Sequence, residues 1–238
     1  MSEHVAIVIT PVKNSIETAL LTARAVAASD VKVHHIIFDD FSDDTTLQAL
    51  QHNQTEIGYE LILLSQLTSN PSPNYKLVLE IAQLRAVAAA LPLLIVESDV
   101  VIQKDTISNM LHALQRHPFA GLIGAVTVDE EAKINFPYVK FRDLKGNIAK
   151  TDRSLSFCCT LISYRFMTSF DFRNLDSGKN WYDVFISRKS IEVGFENYIL
   201  LDSKVLHKPH SSRSWKHLKY KNPLQYYFLK YWKGLDKI

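Results

Sequence analysis

Short apolar runs alternate with amphipathic stretches through the first half of this chain. That order constrains the fold more than any other feature. Residues 4–10 (HVAIVIT) form an apolar run that stops at Pro11 and reads as a buried parallel strand. Residues 15–28 carry an apolar face behind a capping serine, Ser15. A second strand spans residues 31–38, followed by a polar loop at 39–46 and a helix of about ten residues. A third strand at 59–64 leads through a Pro-containing loop at 70–75 to a long helix over about 76–90. A fourth strand at 93–96 ends at Glu97-Ser98-Asp99, and a helix follows at 105–116. Four strand–helix repeats predict a parallel sheet with right-handed crossovers, which binds ligands at the carboxyl ends of its strands. Polar clusters at 11–14, 39–44 and 97–99 each follow a strand end, so they are expected to converge on one crevice.

The second half reads differently. Residues 121–128, 134–141 and 155–162 look like strands separated by turns at 129–131 and 145–147. Helical pieces near 183–190 and 224–233 flank a strand-like run at 199–206. There is no internal repeat, low-complexity segment or Gly/Ser linker. The expectation is therefore one α/β domain with a mixed central sheet over residues 1–238.

Composition narrows the class. A chain of 238 residues, 47% hydrophobic and 22% charged, supports a single globular core. Its longest apolar stretch, residues 86–96, falls short of a bilayer span and contains Pro92. The N-terminus lacks the basic and apolar regions of a signal peptide. Cys158 and Cys159 are adjacent, which rarely suits a mutual disulfide, and both lie in an apolar run. These features predict a cytoplasmic location. The net charge of +2 conceals an asymmetry. From Lys204 onward there are nine Lys/Arg and one acid, so the remainder carries about −6.

Several clusters carry chemistry. Glu97-Ser98-Asp99 leaves two acids at the end of an apolar strand. Mg2+ or Mn2+ takes one or two carboxylates plus substrate phosphates, while a solvated capping loop would use the same residues. Asp39-Asp40-Phe41-Ser42-Asp43-Asp44 packs four acids into six residues. Some suit a base or ribose contact, others the cap of the following helix. His207, in His207-Lys208-Pro209-His210, is of the type that completes a carboxylate metal site, or else sits as an ordinary core imidazole. Asp183 lies among aromatics, where a raised pKa suits a general base, or at a helix start, where it meets the helix dipole.

Taken in order, these segments resemble family 2 glycosyltransferases of the GT-A fold. Thr10-Pro11-Val12-Lys13-Asn14 is similar to that family's strand-one turn, and Asp39-Asp40-Phe41-Ser42-Asp43-Asp44 to its Asp-Asp-Gly-Ser-x-Asp segment. Glu97-Ser98-Asp99 stands at the Asp-x-Asp position. Asp183, Arg188 and Gly194 resemble the stretch that holds the base, and His207 with Ser211-Ser212 resembles the late His…Ser segment. The resemblance implies a Rossmann-like nucleotide-sugar-binding half (1–116), an acceptor and catalytic half (117–215) and a basic aromatic tail (216–238). It implies nucleotide contacts from Thr10, Pro11, Asn14, Asp40, Glu97 and Ser98, metal ligation by Asp99 and His207, and Asp183 as base. It further implies a metal-dependent, inverting transfer from a nucleotide sugar, with UDP favoured, to a saccharide or lipid-linked acceptor in polysaccharide or glycan assembly. The chain departs from the pattern where Glu97 replaces the first Asp, Tyr182 replaces an acid, and Phe41 replaces Gly. The Ala-Arg-Asn segment is missing, with Arg85 nearby but out of register.

Two other function classes compete. A nucleotidyltransferase would normally carry a Gly-rich phosphate loop after the first strand, and residues 11–14 contain no glycine. A non-catalytic binding module descended from a glycosyltransferase would fit the Glu97 and Tyr182 departures. The tail at 215–232 interleaves aromatics with lysines. Such a segment covers a core, or lies on an anionic membrane at the inner face of the cell. It lacks a nucleic-acid recognition motif, and no nucleic-acid partner is expected.

Overall fold

A computed structural model describes residues 4–178, 181–208 and 222–232. The elements follow in the order β1 (Ile7–Val12), α1 (Ile16–Ala27), β2 (His34–Asp39), α2 (Asp44–Ile57), β3 (Glu60–Leu63), α3 (Tyr75–Ala89), β4 (Leu93–Val96), β5 (Val100–Val101), α4 (Thr106–Arg116) and β6 (Ala120–Val128). Then come β7 (Ile148–Thr151), β8 (Cys159–Ile162), α5 (Tyr164–Ser169), α6 (Tyr182–Glu192), β9 (Glu196–His207) and α7 (Pro223–Trp232). The strands form one mixed sheet in the order β3-β2-β1-β4-β8-β6-β9-β5, with β7 pairing β9 off this path.

The parallel half, β3-β2-β1-β4, comes from the four apolar runs. Strand alternation divides its side chains between two faces. Ile7 and Ile9 join the core that holds Val78, Leu79, Ala82 and Ala86 of α3, whereas Val12 joins Ala19 and Ala23 of α1 on the other face. Both faces are thus covered by helices, which is why these strands read as unbroken hydrophobic runs. Strand β1 continues through Pro11 instead of stopping there. The Val12 carbonyl accepts from Asp40 on the β2 side. Pro11, one residue earlier, faces the β4 side, where pairing ends at Ile9, so its missing N–H breaks no ladder bond.

The second half departs from expectation. Residues 134–141 are not a strand. A single bridge joins Val128 to Ile134, and Tyr138–Phe141 form a 3-10 turn with Tyr138 and Phe141 buried. Pro137 within that run cannot donate to a ladder. The run at 155–162 is a strand only from Cys159, because the Leu155 N–H turns to Ser187 Oγ (2.9 Å) instead of a neighbouring strand. The short elements β5, β7 and α5 carry too little periodicity to be read from sequence.

The chain divides into two compact units, Met1–Lys208 and Pro209–Ile238. The sheet lies in the first. The described part of the second is α7, where Leu224, Phe228 and Trp232, four residues apart, are exposed, and the Phe228 and Trp232 rings stack at 5.4 Å. The aromatic and basic residues at 215–221 lie outside the described residues, as do Ser211 and Ser212. Among the described residues no helix is long and apolar enough to cross a membrane.

Candidate functional site

The three polar clusters meet at the carboxyl edge of the parallel strands. The Asn14 N–H donates to Ser42 Oγ (3.1 Å), and Asn14 Oδ1 accepts from the Asp43 N–H (2.8 Å). Asn14 sits at φ 48°, a left-handed conformation that asparagine tolerates. Lys13 Nζ donates to the Phe41 carbonyl. Ser15 Oγ lies 3.1 Å from Ser98 Oγ, tying the start of α1 to the turn after β4. That turn, Glu97 to Val100, is closed by the Val100 N–H on the Glu97 carbonyl (3.1 Å).

The structure separates Asp39 from Asp40. Both Asp40 oxygens are engaged by the loop before α3: they accept from Ser72 Oγ (2.7 Å), the Asn74 N–H (2.9 Å) and Asn74 Nδ2 (2.8 Å). Asp39 is buried. Its Oδ2 accepts from the Ser42 N–H at 3.3 Å, while its Oδ1 has no hydrogen-bond partner among the described residues. Thr10 is also turned inward, with Oγ1 3.0 Å from His35 Nε2 in the core. Phe41 adopts φ 58°, the left-handed region where the family pattern has glycine. Arg85 is held by Glu60 at 2.7 Å.

On the other side of the crevice, strand β9 delivers His207. A register shift between β6 and β9 skips from Leu200 to Lys204, and the re-aimed strand then pairs His207 with Val100. His207 Nε2 comes to 3.5 Å from Asp99 Oδ2. Its Nδ1 lies 3.0 Å from the Phe136 carbonyl oxygen, which only accepts, so Nδ1 carries a proton. Burial alone would lower the His207 pKa. Asp99, Glu97 and the Phe136 carbonyl outweigh it and raise the value above the ordinary imidazole one. Glu97 is pushed up to about 7, first by desolvation and then by Asp99, against His207 and a hydrogen bond from Cys158. The Cys158 thiol donates to Glu97 Oε2 at 3.3 Å.

Asp183 lies in the first turn of α6, and its Oδ1 accepts from the Val184 N–H (2.8 Å). Several contacts fix this helix. Ser187 Oγ bonds the Leu155 N–H (2.9 Å), Asn197 Nδ2 donates to the Ser187 carbonyl (2.7 Å), and Ser190 Oγ donates to Asn197 Oδ1 (2.8 Å). At Gly121 a Cβ would lie 2.0 Å from Ser190 Oγ, so glycine is needed for α6 to approach β6 this closely. Asp183 is within electrostatic reach of Glu97 and of Lys140. Glu97, Asp99, His207 and Asp183 therefore share one neighbourhood. Among the described residues no three His, Cys, Asp or Glu lie close enough to enclose an ion by themselves. The donor set still fits a hard divalent ion that completes its shell with phosphate oxygens: two carboxylates forced together and an imidazole whose far nitrogen is already fixed. Tyr75 and Cys158 belong to the crevice, although no motif pointed to them, and so does Asp39, which lies in the acidic segment beside the Asp40 that the resemblance assigned.

A parallel half-sheet with acids at its strand ends, extended by antiparallel β8 and the long β9, is the architecture of GT-A glycosyltransferases. The chain belongs to glycosyl transferase family 2, whose model matches residues 7–172. S. aureus TarS 1-349 in complex with UDP-GlcNAc is similar in structure, with TM-score 0.67 at 16% identity over 87% of this chain and 59% of that one. The mannosyltransferase PcManGT from Pyrobaculum calidifontis, in complex with GDP-Man and Mn2+, gives 0.62 at 14% identity over 95% and 64%. GalNAc-T7 with UDP, GalNAc and Mn2+ gives 0.65 at 11% identity over 89% and 45%. The chain thus spans roughly half to two thirds of these relatives. No curated protein matches the sequence.

Proposed function

We propose that this chain transfers a sugar from a nucleotide-sugar donor to a hydroxyl of a saccharide or lipid-linked saccharide acceptor, with inversion and with Mn2+ or Mg2+. The observation that carries this reading is the approach of His207 to Asp99 beside Glu97, where β9 meets the turn after β4, with Asp183 of α6 within electrostatic reach of Glu97. Asp99 and His207 would hold the ion and Glu97 would lie beside it. The bound ion would neutralise charge on the departing diphosphate. Asp183 accepts the proton of the acceptor hydroxyl as that oxygen bonds the anomeric carbon and the bond to the diphosphate breaks. Asp39, with its unpartnered Oδ1, has more hydrogen-bonding capacity left than Asp40 to accept from a nucleobase N–H, while Pro11, Asn14 and Ser98 shape the pocket. The donors named in the complexes of TarS, PcManGT and GalNAc-T7 support a UDP- or GDP-sugar.

Thermal unfolding with UDP, GDP, dTDP and CDP, with and without Mn2+, tests the reading. Ligand at 100 times its dissociation constant stabilises by about 2.7 kcal/mol. Stabilisation by one nucleotide only with metal is expected. No shift with any nucleotide would refute the donor site, and binding without donor turnover would favour a non-catalytic module. For the exposed Leu224, Phe228 and Trp232 of α7 we propose peripheral contact with an anionic membrane at the cytoplasmic face. Absence of flotation with anionic liposomes at low salt would exclude it.

A further inference from the structure

Tyr75, the first residue of α3, stands in the middle of a three-ring stack. Its ring centroid lies 6.2 Å from that of Phe157 at an interplanar angle of 9°, and 6.3 Å from that of Tyr182 at 8°. Parallel rings at these separations are strongly offset, so Phe157 and Tyr182 flank the Tyr75 ring and limit its rotation. The polar handle of the ring is its hydroxyl. That Oη is buried and has no hydrogen-bond partner among the described residues, an arrangement that folded chains rarely keep without a use.

The stack lies between the two sides of the crevice. Phe157 precedes Cys158, whose thiol donates to Glu97. Tyr182 precedes Asp183. The Tyr75 hydroxyl is within electrostatic reach of Glu97, Asp183 and Cys158, and burial followed by these neighbours holds its proton well above the ordinary phenol value. A phenol that keeps its proton is a hydrogen-bond donor. The preceding residue, Asn74, is clamped to Asp40 through both its N–H and its side chain, so the Tyr75 backbone is held while Phe157 and Tyr182 flank its ring. A donor this rigid loses little freedom when it binds a ligand.

We propose that Tyr75 is a sugar-binding residue whose hydroxyl donates a hydrogen bond to the transferred sugar between Glu97 and Asp183. The proposal rests on the reading of the crevice as a nucleotide-sugar site. It accounts for the unpartnered Oη, and it gives the flanking Phe157 and Tyr182 rings a purpose in limiting its rotation.

The test is Tyr75→Phe, which keeps the stack and removes one oxygen. Calorimetric titration in Mn2+ would compare UDP with UDP-GlcNAc and GDP with GDP-Man. The variant is expected to bind the nucleoside diphosphate as the parent does and to bind the matching nucleotide sugar about 3–10-fold more weakly, the value of one neutral hydrogen bond. Without ligand it is expected to melt at the same temperature or higher, because an unpartnered buried hydroxyl has been removed. Unchanged nucleotide-sugar affinity would overturn the proposal, as would an equal loss for diphosphate and nucleotide sugar. If the parent protein binds neither pair, the donor-site reading fails and this proposal with it. If the parent binds and Tyr75→Phe matches it, only the role of Tyr75 fails.

Discussion

His207 and Asp99 face each other across the β5–β9 pair, with Nε2 3.5 Å from Oδ2 and the Lys208 N–H donating to the Asp99 carbonyl at 2.8 Å. The backbone bond holds the two residues in place whether or not their side chains meet. Substitution of either side chain should therefore leave the fold intact and act on metal affinity. Asp99→Asn is expected to abolish the Mn2+-dependent part of nucleotide binding, and His207→Ala to weaken Mn2+ affinity on the order of 10-fold or more. Titration calorimetry of Mn2+ in the presence of nucleotide measures both. Wild-type metal affinity in Asp99→Asn would remove it from the metal site.

Adjacent aspartates should behave in opposite ways. Asp40 accepts three hydrogen bonds from the Ser72–Asn74 loop, so Asp40→Ala leaves buried donors unsatisfied and should cost about 2–3 kcal/mol of stability. Asp39→Ala removes a carboxylate with one unpartnered oxygen and should weaken nucleotide binding with less loss of stability than Asp40→Ala. Urea unfolding and nucleotide titration of both variants check the pair; the reverse pattern would exchange their roles.

Asp183→Asn keeps the α6 contacts made through Ser187, Ser190 and Asn197 and removes the proposed proton acceptor. Turnover should fall by about 10²–10⁴-fold while nucleotide-sugar affinity persists. Steady-state rates beside equilibrium binding separate these effects. Near-normal turnover would exclude Asp183 as the base.

Acid should destabilise the protein through His35. Burial, helped by the charge of His34, depresses its pKa from 6.5 to about 3. The unfolded chain thus binds a proton that the folded chain refuses. The contribution is fully present above about pH 6.5 and is lost as pH falls toward 3, in total on the order of 5 kcal/mol. Melting temperature should fall less steeply between pH 6.5 and 4 in His35→Gln than in the parent. Identical slopes would mean that His35 titrates normally.

The parallel half of the fold was legible because its strands are buried on both faces, which leaves continuous apolar runs such as residues 93–96. The crevice was legible for the same reason, since strand ends locate it. What sequence could not show depends on distant partners. Strand β5 has two residues and exists only because β9 reaches it. Residues 134–141 imitate a strand by alternation, yet Pro137 and the inward-turned Tyr138 make a turn of them. Asp40 matched a motif, but its neighbour Asp39 keeps the open oxygen, a distinction set by a loop more than thirty residues away. Thr10 likewise matched by position, while its hydroxyl is committed to His35.

The register shift in β9 also fixes when the Asp99–His207 pair can form. Asp99 emerges early in synthesis, but the imidazole that faces it arrives only after β9 has seated against β6 and bent toward β5. A nascent chain that has completed β1 to β4 would hold the acidic turn without its histidine. The proposed ion site is therefore complete only once nearly the whole of the first compact unit has been made.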